Sequence, residues 1–324
     1  MKAHTIVSNV KISLNELLRK ELPAILEQEV SNSKVRRLIV AGSVSVNGKQ
    51  IRIPAYSVFP KSQVTVLLDE EKLFYEKQPD DIDYELTQKD ILFEDDSIIV
   101  VNKPTHFPTE AGMVGSRDNL HDAIVRFLFE RQKITAPNAK NPPYVGIMHR
   151  LDRDTSGVIL FTKTRAANAP CHEMFEKHTA RKEYVAVVTA SPKSKKFIVD
   201  FPMGRISQKS QAAKWGKLSE KDGGLHSLTE FELIEGKTLV QSHPMEKSSS
   251  SDFQHQLIIA RPHTGRTHQI RVHLASAGCP ILGDTLYGGK SYDRIMLHAK
   301  KLTFPHPVTG KEMSVEAPVP EEFI

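Results

Sequence analysis

Cysteine is scarce in this chain: 324 residues hold only Cys171 and Cys279, far apart and in no CxxC or related spacing. That argues against a disulfide framework and a cysteine-based zinc site, and it agrees with a reducing compartment. No apolar run approaches the roughly 20 residues that span a bilayer, and the first residues lack the long apolar core of a secretory signal. A soluble, cytoplasmic protein without membrane partners is expected. Phosphate-loop and dinucleotide fingerprints are also missing. His172, Glu173 and His178 do not form H-E-x-x-H, and His268 and His273, five apart, fall on different faces of a helix. No metal and no cofactor are expected.

Charge is present and uneven. The formal total is +5, but residues 1–70 carry +4, residues 71–100 carry −7 and residues 101–324 carry +8. Two basic blocks around an acidic stretch suit a polyanionic partner better than the total suggests, although a solvated surface varies in this way too.

The front of the chain predicts a small α+β module. Leu14, Leu17, Leu18, Leu22, Ile25 and Leu26 recur at helical spacing, with Ser13 and Glu16 placed as a capping box. Val35, Leu38 and Ile39 make the apolar stripe of a second helix over about 34–41, with Gly42 as its stop. Val44 and Val46 alternate into Asn47-Gly48, a tight-hairpin signal, and Val64–Leu68 reads as a closing strand. Residues 71–90 are acidic and aperiodic and read as a linker. From 91 to 324, mixed strands and helices predict one α+β catalytic domain, with 241–253 as a polar insertion.

Two strings in that domain bear chemistry. His149-Arg150-Leu151-Asp152-Arg153-Asp154-Thr155-Ser156-Gly157 sets two acids among cations in a turn that enters an apolar strand. Asp154, before Thr155-Ser156-Gly157, suits a turn-fixing side chain. Asp152, between Arg150 and Arg153, suits a carboxylate nucleophile, because neighbouring guanidinium groups favour the charged form. Downstream, Thr267 is a candidate cap for a helix over 268–277, in which His268 and Arg271 share a face and Arg271 can offer a bidentate fork to a carboxylate. On the residues alone, a buried structural ion pair is as good a reading as a catalytic one.

The order of two helices, a glycine and a Val-x-Val-Asn-Gly-Lys hairpin, carried by Val35–Lys49, resembles the alpha-L RNA-binding domain. That resemblance implies phosphate contacts from Lys34, Arg36 and Arg37. Residues 91–324 resemble the RluA-like family of RNA pseudouridine synthases. The likeness runs through Glu94–Pro104, His149–Gly157, Lys182-Glu183-Tyr184, Pro202–Arg205, Thr264–Leu274, Gly278–Asp284 with Tyr287-Gly288, and Leu297–Ala299. It implies a mixed, mainly antiparallel sheet and isomerisation of uridine in structured RNA, large-subunit ribosomal RNA before transfer RNA. It further implies Asp152 as the essential carboxylate, Tyr184 stacking on the target base and Arg271 pairing with the acid. Arg150 would fill the space of the flipped base, while His149, Asp154, Thr155, Gly157 and His268 would shape the loop. A monomer is expected. Two departures bear on target choice: Ala213-Lys214-Trp215 stands where a Lys-Met pair is usual, and the 241–253 insertion is long. A non-catalytic RNA-binding or ribosome-assembly factor is the alternative; a paired-carboxylate hydrolase lacks a second well-spaced acid.

Overall fold

The computed structural model describes residues 2–69, 73, 78–112, 117–208, 213–239 and 255–323, so the expected insertion at 241–253 lies outside the described residues. The chain forms two compact units. The smaller comprises Met1–Pro79 with Ala111–Arg117 and Ser207–Ala213, and the larger comprises Asp80–Glu110, Asp118–Ile206 and Lys214–Ile324. Among the described residues, no helix is long and apolar enough to cross a membrane.

In the smaller unit the helix Leu14–Leu26 begins with the reciprocal Ser13–Glu16 capping box. The next helix starts two residues ahead of the sequence expectation, at Asn32, because the Ser31 side chain accepts from Lys34 N; it ends at Gly42 (φ 83°). Asn47 (φ 49°) and Gly48 (φ 79°) turn the hairpin with both central residues left-handed, the geometry that favours Asn-Gly. A four-stranded sheet in the order Lys2–Val7, Gln63–Leu68, Val44–Val46, Lys49–Gln50 packs its inner side chains on the two helices. Arg36 and Arg37 are exposed, and Lys34 is partly so.

The larger unit is built on a ten-stranded sheet. Its main path runs Lys196–Asp200, Leu228–Leu239, His255–Pro262, Arg181–Val188, Leu297–Pro305, Ser156–Thr162, Ile98–Lys103, Ile91–Glu94. Ladders in this path are antiparallel except one: Ser156 and Gly157 pair in parallel with His298 and Ala299. The sheet is therefore mixed and mainly antiparallel, and the fold is α+β. Every residue of Ser156–Thr162 is buried, as a central strand covered on both faces must be. Asp95 turns the hairpin between Ile91–Glu94 and Ile98–Lys103 by accepting from Ser97 N and Ile98 N at 2.8 and 2.9 Å. The helices Leu120–Thr135 and Asn168–Glu176 place Ala123, Ile124, Leu128, Cys171 and Met174 in the main core.

Residues 80–90, read in the sequence as the second half of a linker, belong to the larger unit. Leu86 is buried in its core, and Ile82 N donates to His106 O. The charges that make this stretch look like a tether are used in ion pairs: Asp80 and Asp81 both accept from Arg153.

Candidate active site

The loop entering Ser156–Thr162 is held by its own backbone oxygens. Thr109 Oγ1 donates to Leu151 O (2.8 Å), Thr155 N to Asp152 O (3.2 Å), Lys103 Nζ to Arg153 O (2.8 Å), and Thr105 Oγ1 to Asp154 O (2.9 Å). Four consecutive carbonyls thus have donors, three of them from residues 103–109, which leaves this loop little freedom. Lys103 is fully buried, and its three ammonium protons go to the carbonyls of Pro104, Phe107 and Arg153. Burial pulls its pKa down to about 7, against the pull of the Asp154 and Asp152 charges.

Gly157 closes the loop with φ 113°, and a β-carbon there would lie 2.2 Å from Ala299 O. Only glycine tolerates both the backbone conformation and the neighbouring strand at that distance. His149 sits behind the loop on the Phe175 ring, centroids 4.5 Å apart, and its Nε2 accepts from Leu160 N at 3.0 Å. Burial, helped by the Lys182 charge, pushes its pKa far below the usual value, so the ring is neutral, as an accepting nitrogen requires.

The sequence neighbours Arg150 and Arg153 are not the groups that face Asp152. Arg153 turns to Asp80, Asp81 and Asp154, and Arg150 pairs with Glu110 at 2.9 Å. Asp154 does not fix the turn through its side chain as expected; the turn bond is the backbone pair Thr155 N–Asp152 O, and the Asp154 carboxylate binds Arg153 Nε (2.6 Å) and lies 3.4 Å from His106 Nδ1. Burial pushes the Asp154 pKa up, but the His106 and Arg153 interactions outweigh it and hold the carboxyl well below its usual range. The groups facing Asp152 come from far along the chain: the Arg271 cation, with Nη1 at 3.8 Å from Oδ2, and the His268 ring, with Nε2 at 4.0 Å, whose pKa burial lowers.

Those two residues come from the helix Gln269–Ser276, whose N-cap is His268 itself at φ 55°, in place of the expected Thr267. Gln269 fixes that strained entry. Its Oε1 accepts from Thr264 Oγ1 and Arg266 N, while its Nε2 donates to Leu228 O and Thr229 Oγ1. His268 Nδ1 lies 2.9 Å from the Tyr287 hydroxyl, whose oxygen accepts from Trp215 N at 3.0 Å. With the hydroxyl proton directed to Nδ1, the ring's own proton sits on Nε2, facing Asp152. Arg271 directs its fork to Asp284, Nε–Oδ2 2.7 Å and Nη2–Oδ1 2.9 Å, and lies over the Tyr287 ring. Asp284 is 1 % exposed, so this pair is sealed from water. Asp284 and Gln269 lie within the family-like strings, yet sequence reasoning gave neither a role.

Tyr184 lies on Arg181–Val188 at a break in register with Leu297–Pro305, between Glu183 and Tyr184. Burial and the nearby Asp152 charge push its hydroxyl pKa up. Asp152, Tyr184, His268 and Arg271 all line one open cavity of about 510 Å³, together with His149, Arg150 and Thr155. Asp154, Gly157 and Asp284 do not line it. Lys34, Arg36 and Arg37 belong to the smaller unit.

One carboxylate from a loop, one tyrosine from an inner strand and one arginine from a helix face a half-open cavity, an arrangement that suits an enzyme site. The chain belongs to the RNA pseudouridylate synthase family, whose pattern matches residues 97–276. It is 32 % identical to the ribosomal large subunit pseudouridine synthase D of Vibrio cholerae, over 99 % of this chain and 94 % of that protein. It is 36 % identical to an uncharacterized RNA pseudouridine synthase of Bacillus subtilis, over 74 % of this chain and 71 % of that protein. The human RNA pseudouridylate synthase domain containing 4 shares the fold, with a TM-score of 0.53 at 22 % identity over 72 % of this chain and 90 % of that one. The protein is thus an isomerase acting on RNA, and the non-catalytic alternative is not favoured.

Proposed function

We propose that this synthase isomerises uridine in large-subunit ribosomal RNA, in the cytoplasm and as a monomer, with Asp152, Tyr184 and Arg271 as the reacting set. The ribosomal target is supported by relatives named ribosomal large subunit pseudouridine synthase D that align with nearly the whole chain. The reading rests on one observation: side chains from positions 152, 184 and 271 line a single cavity.

A uridine must leave its stack to reach these groups, at a cost of roughly a few kcal/mol. Stacking on Tyr184, worth about 1–3 kcal/mol, offsets much of that, and Arg150, on leaving its pair with Glu110, fills the vacated space. Asp152 acts at ribose C1′, attacking it or promoting loss of the base. The C1′–N1 bond breaks, the uracil turns within the cavity, and C5 bonds to C1′, displacing Asp152 where that carboxylate had bonded there; the proton on C5 is then lost beside Tyr184 and N1 takes one up, so protons balance. Arg271 and the His268 Nε2–H steady the carboxylate through these steps. One bond replaces another, so the net change consumes no reagent. The exposed Arg36 and Arg37 with Lys34 serve as a phosphate-binding face of the front domain.

The test is to map pseudouridines in cellular RNA with the gene present, deleted, and restored as Asp152→Asn. Loss of defined large-subunit sites in the last two strains is expected. Sites lost only from transfer RNA would overturn the target, and restoration by Asp152→Asn would overturn the role of that residue.

A further inference from the structure

Lys182 lies two residues before Tyr184 on Arg181–Val188, and both line the cavity that holds Asp152 and Arg271. Its Nζ lies 5.2 Å from the Phe175 ring centroid and 3.5 Å from the point that a β-carbon on Gly265 would take. Among the described residues, this ammonium has no hydrogen-bond or ion-pair partner. Other buried and half-buried lysines of the same unit differ. Lys103 gives its protons to three carbonyls, Lys163 binds Glu94, and Lys300 lies 3.6 Å from Glu183. An ammonium carries three donors, and holding it in a largely buried place without acceptors is costly. Burial pulls the Lys182 pKa down to about 8, which registers that cost.

We infer that Lys182 is a phosphate-binding residue of the active site, seated to hold the RNA phosphodiester that flanks the target uridine. The inference rests on the reading of Tyr184 as the base platform in the same cavity. An anionic acceptor from outside the chain satisfies both the charge and the donors of Lys182, whereas a neutral carbonyl answers only the donors. The spacing agrees. Alternate residues of a strand stand about 6.6 Å apart, on the order of one ribose between a base and its phosphate. Glycine at 265 leaves the approach to Nζ open.

The experiment uses the full chain and an in vitro transcript of large-subunit ribosomal RNA, comparing wild type with Lys182→Gln and Lys182→Arg. Equilibrium binding at several salt concentrations is the main readout, with turnover followed in parallel. Lys182→Gln is expected to weaken binding about tenfold and to make the salt slope shallower by about 0.7, the value for one single-stranded phosphate. Lys182→Arg is expected to keep most of the affinity, and the melting temperature of Lys182→Gln to equal or exceed that of wild type. Unchanged affinity and slope in Lys182→Gln would overturn the inference, as would a loss of kcat with binding intact. If wild type binds but isomerises nothing in the transcript, the ribosomal target fails, while the binding comparison still decides the lysine.

Discussion

Arg271 holds Asp284 with two short hydrogen bonds and reaches Asp152 with its remaining terminal nitrogen, at 3.8 Å. The arginine is thus fixed by one carboxylate in order to face another. A planar guanidinium does this well, because fixing two of its nitrogens also fixes the direction of the third.

Asp284→Asn should therefore lower kcat by roughly tenfold or more while leaving KM close to wild type, since the loss falls on a group acting through Arg271. Steady-state kinetics on the target RNA check this. A rise in KM alone would show that Asp284 serves binding.

Lys103→Met should be strongly destabilising, by on the order of 3 kcal/mol, because it leaves one buried and two partly buried carbonyls without their donor. Urea denaturation measures it directly. A midpoint equal to wild type would mean that the loop carbonyls find other donors.

Folding stability should fall on acidification below the histidine range. Burial holds His273 and His298 at a pKa of about 4, with the Asp200 charge opposing the shift in the first and Arg294 adding to it in the second. An unfolded histidine titrates near 6.5, so between those values the unfolded chain binds more protons. The stability these residues contribute is complete above about pH 6.5 and is lost as pH falls through about 4. The His273 contacts agree: Ser227 Oγ donates to Phe201 O and so accepts from Nε2, while Thr229 accepts from Gln269 and can donate to Nδ1. His273→Gln should flatten the pH dependence of the melting temperature in that window; an unaltered slope there would exclude His273 as a contributor.

Replacing Lys34, Arg36 and Arg37 together with alanine should weaken RNA binding and make its salt slope shallower by about 0.7–0.9 for each phosphate that is no longer neutralised. Titrations at several salt concentrations give the slope. No change would remove this face from the RNA interface.

Much was legible along the chain. The Ser13–Glu16 box, the Asn47-Gly48 turn and the all-apolar run Val158–Phe161 are local signals, because caps, turns and burial periodicity act over a few residues. The charged string also pointed to Asp152. Arg271 does face Asp152, as the family likeness implied, but the adjacent charges were misread where proximity in sequence stood in for proximity in space. Arg153 turned to Asp80, Asp154 to His106, and the 80–90 stretch into the core.

What the sequence by itself determined is the set of elements and the family-like strings that hold Asp152, Tyr184 and Arg271. What only the tertiary structure decided is which charge faces which. Asp284 as the holder of Arg271, Lys103 as the anchor of the loop, and Lys182 as a cation left without an acceptor each depend on side chains brought together by sheet pairing. Ion-pair choice is set by distance and burial in the folded state, and neither quantity is written in local order.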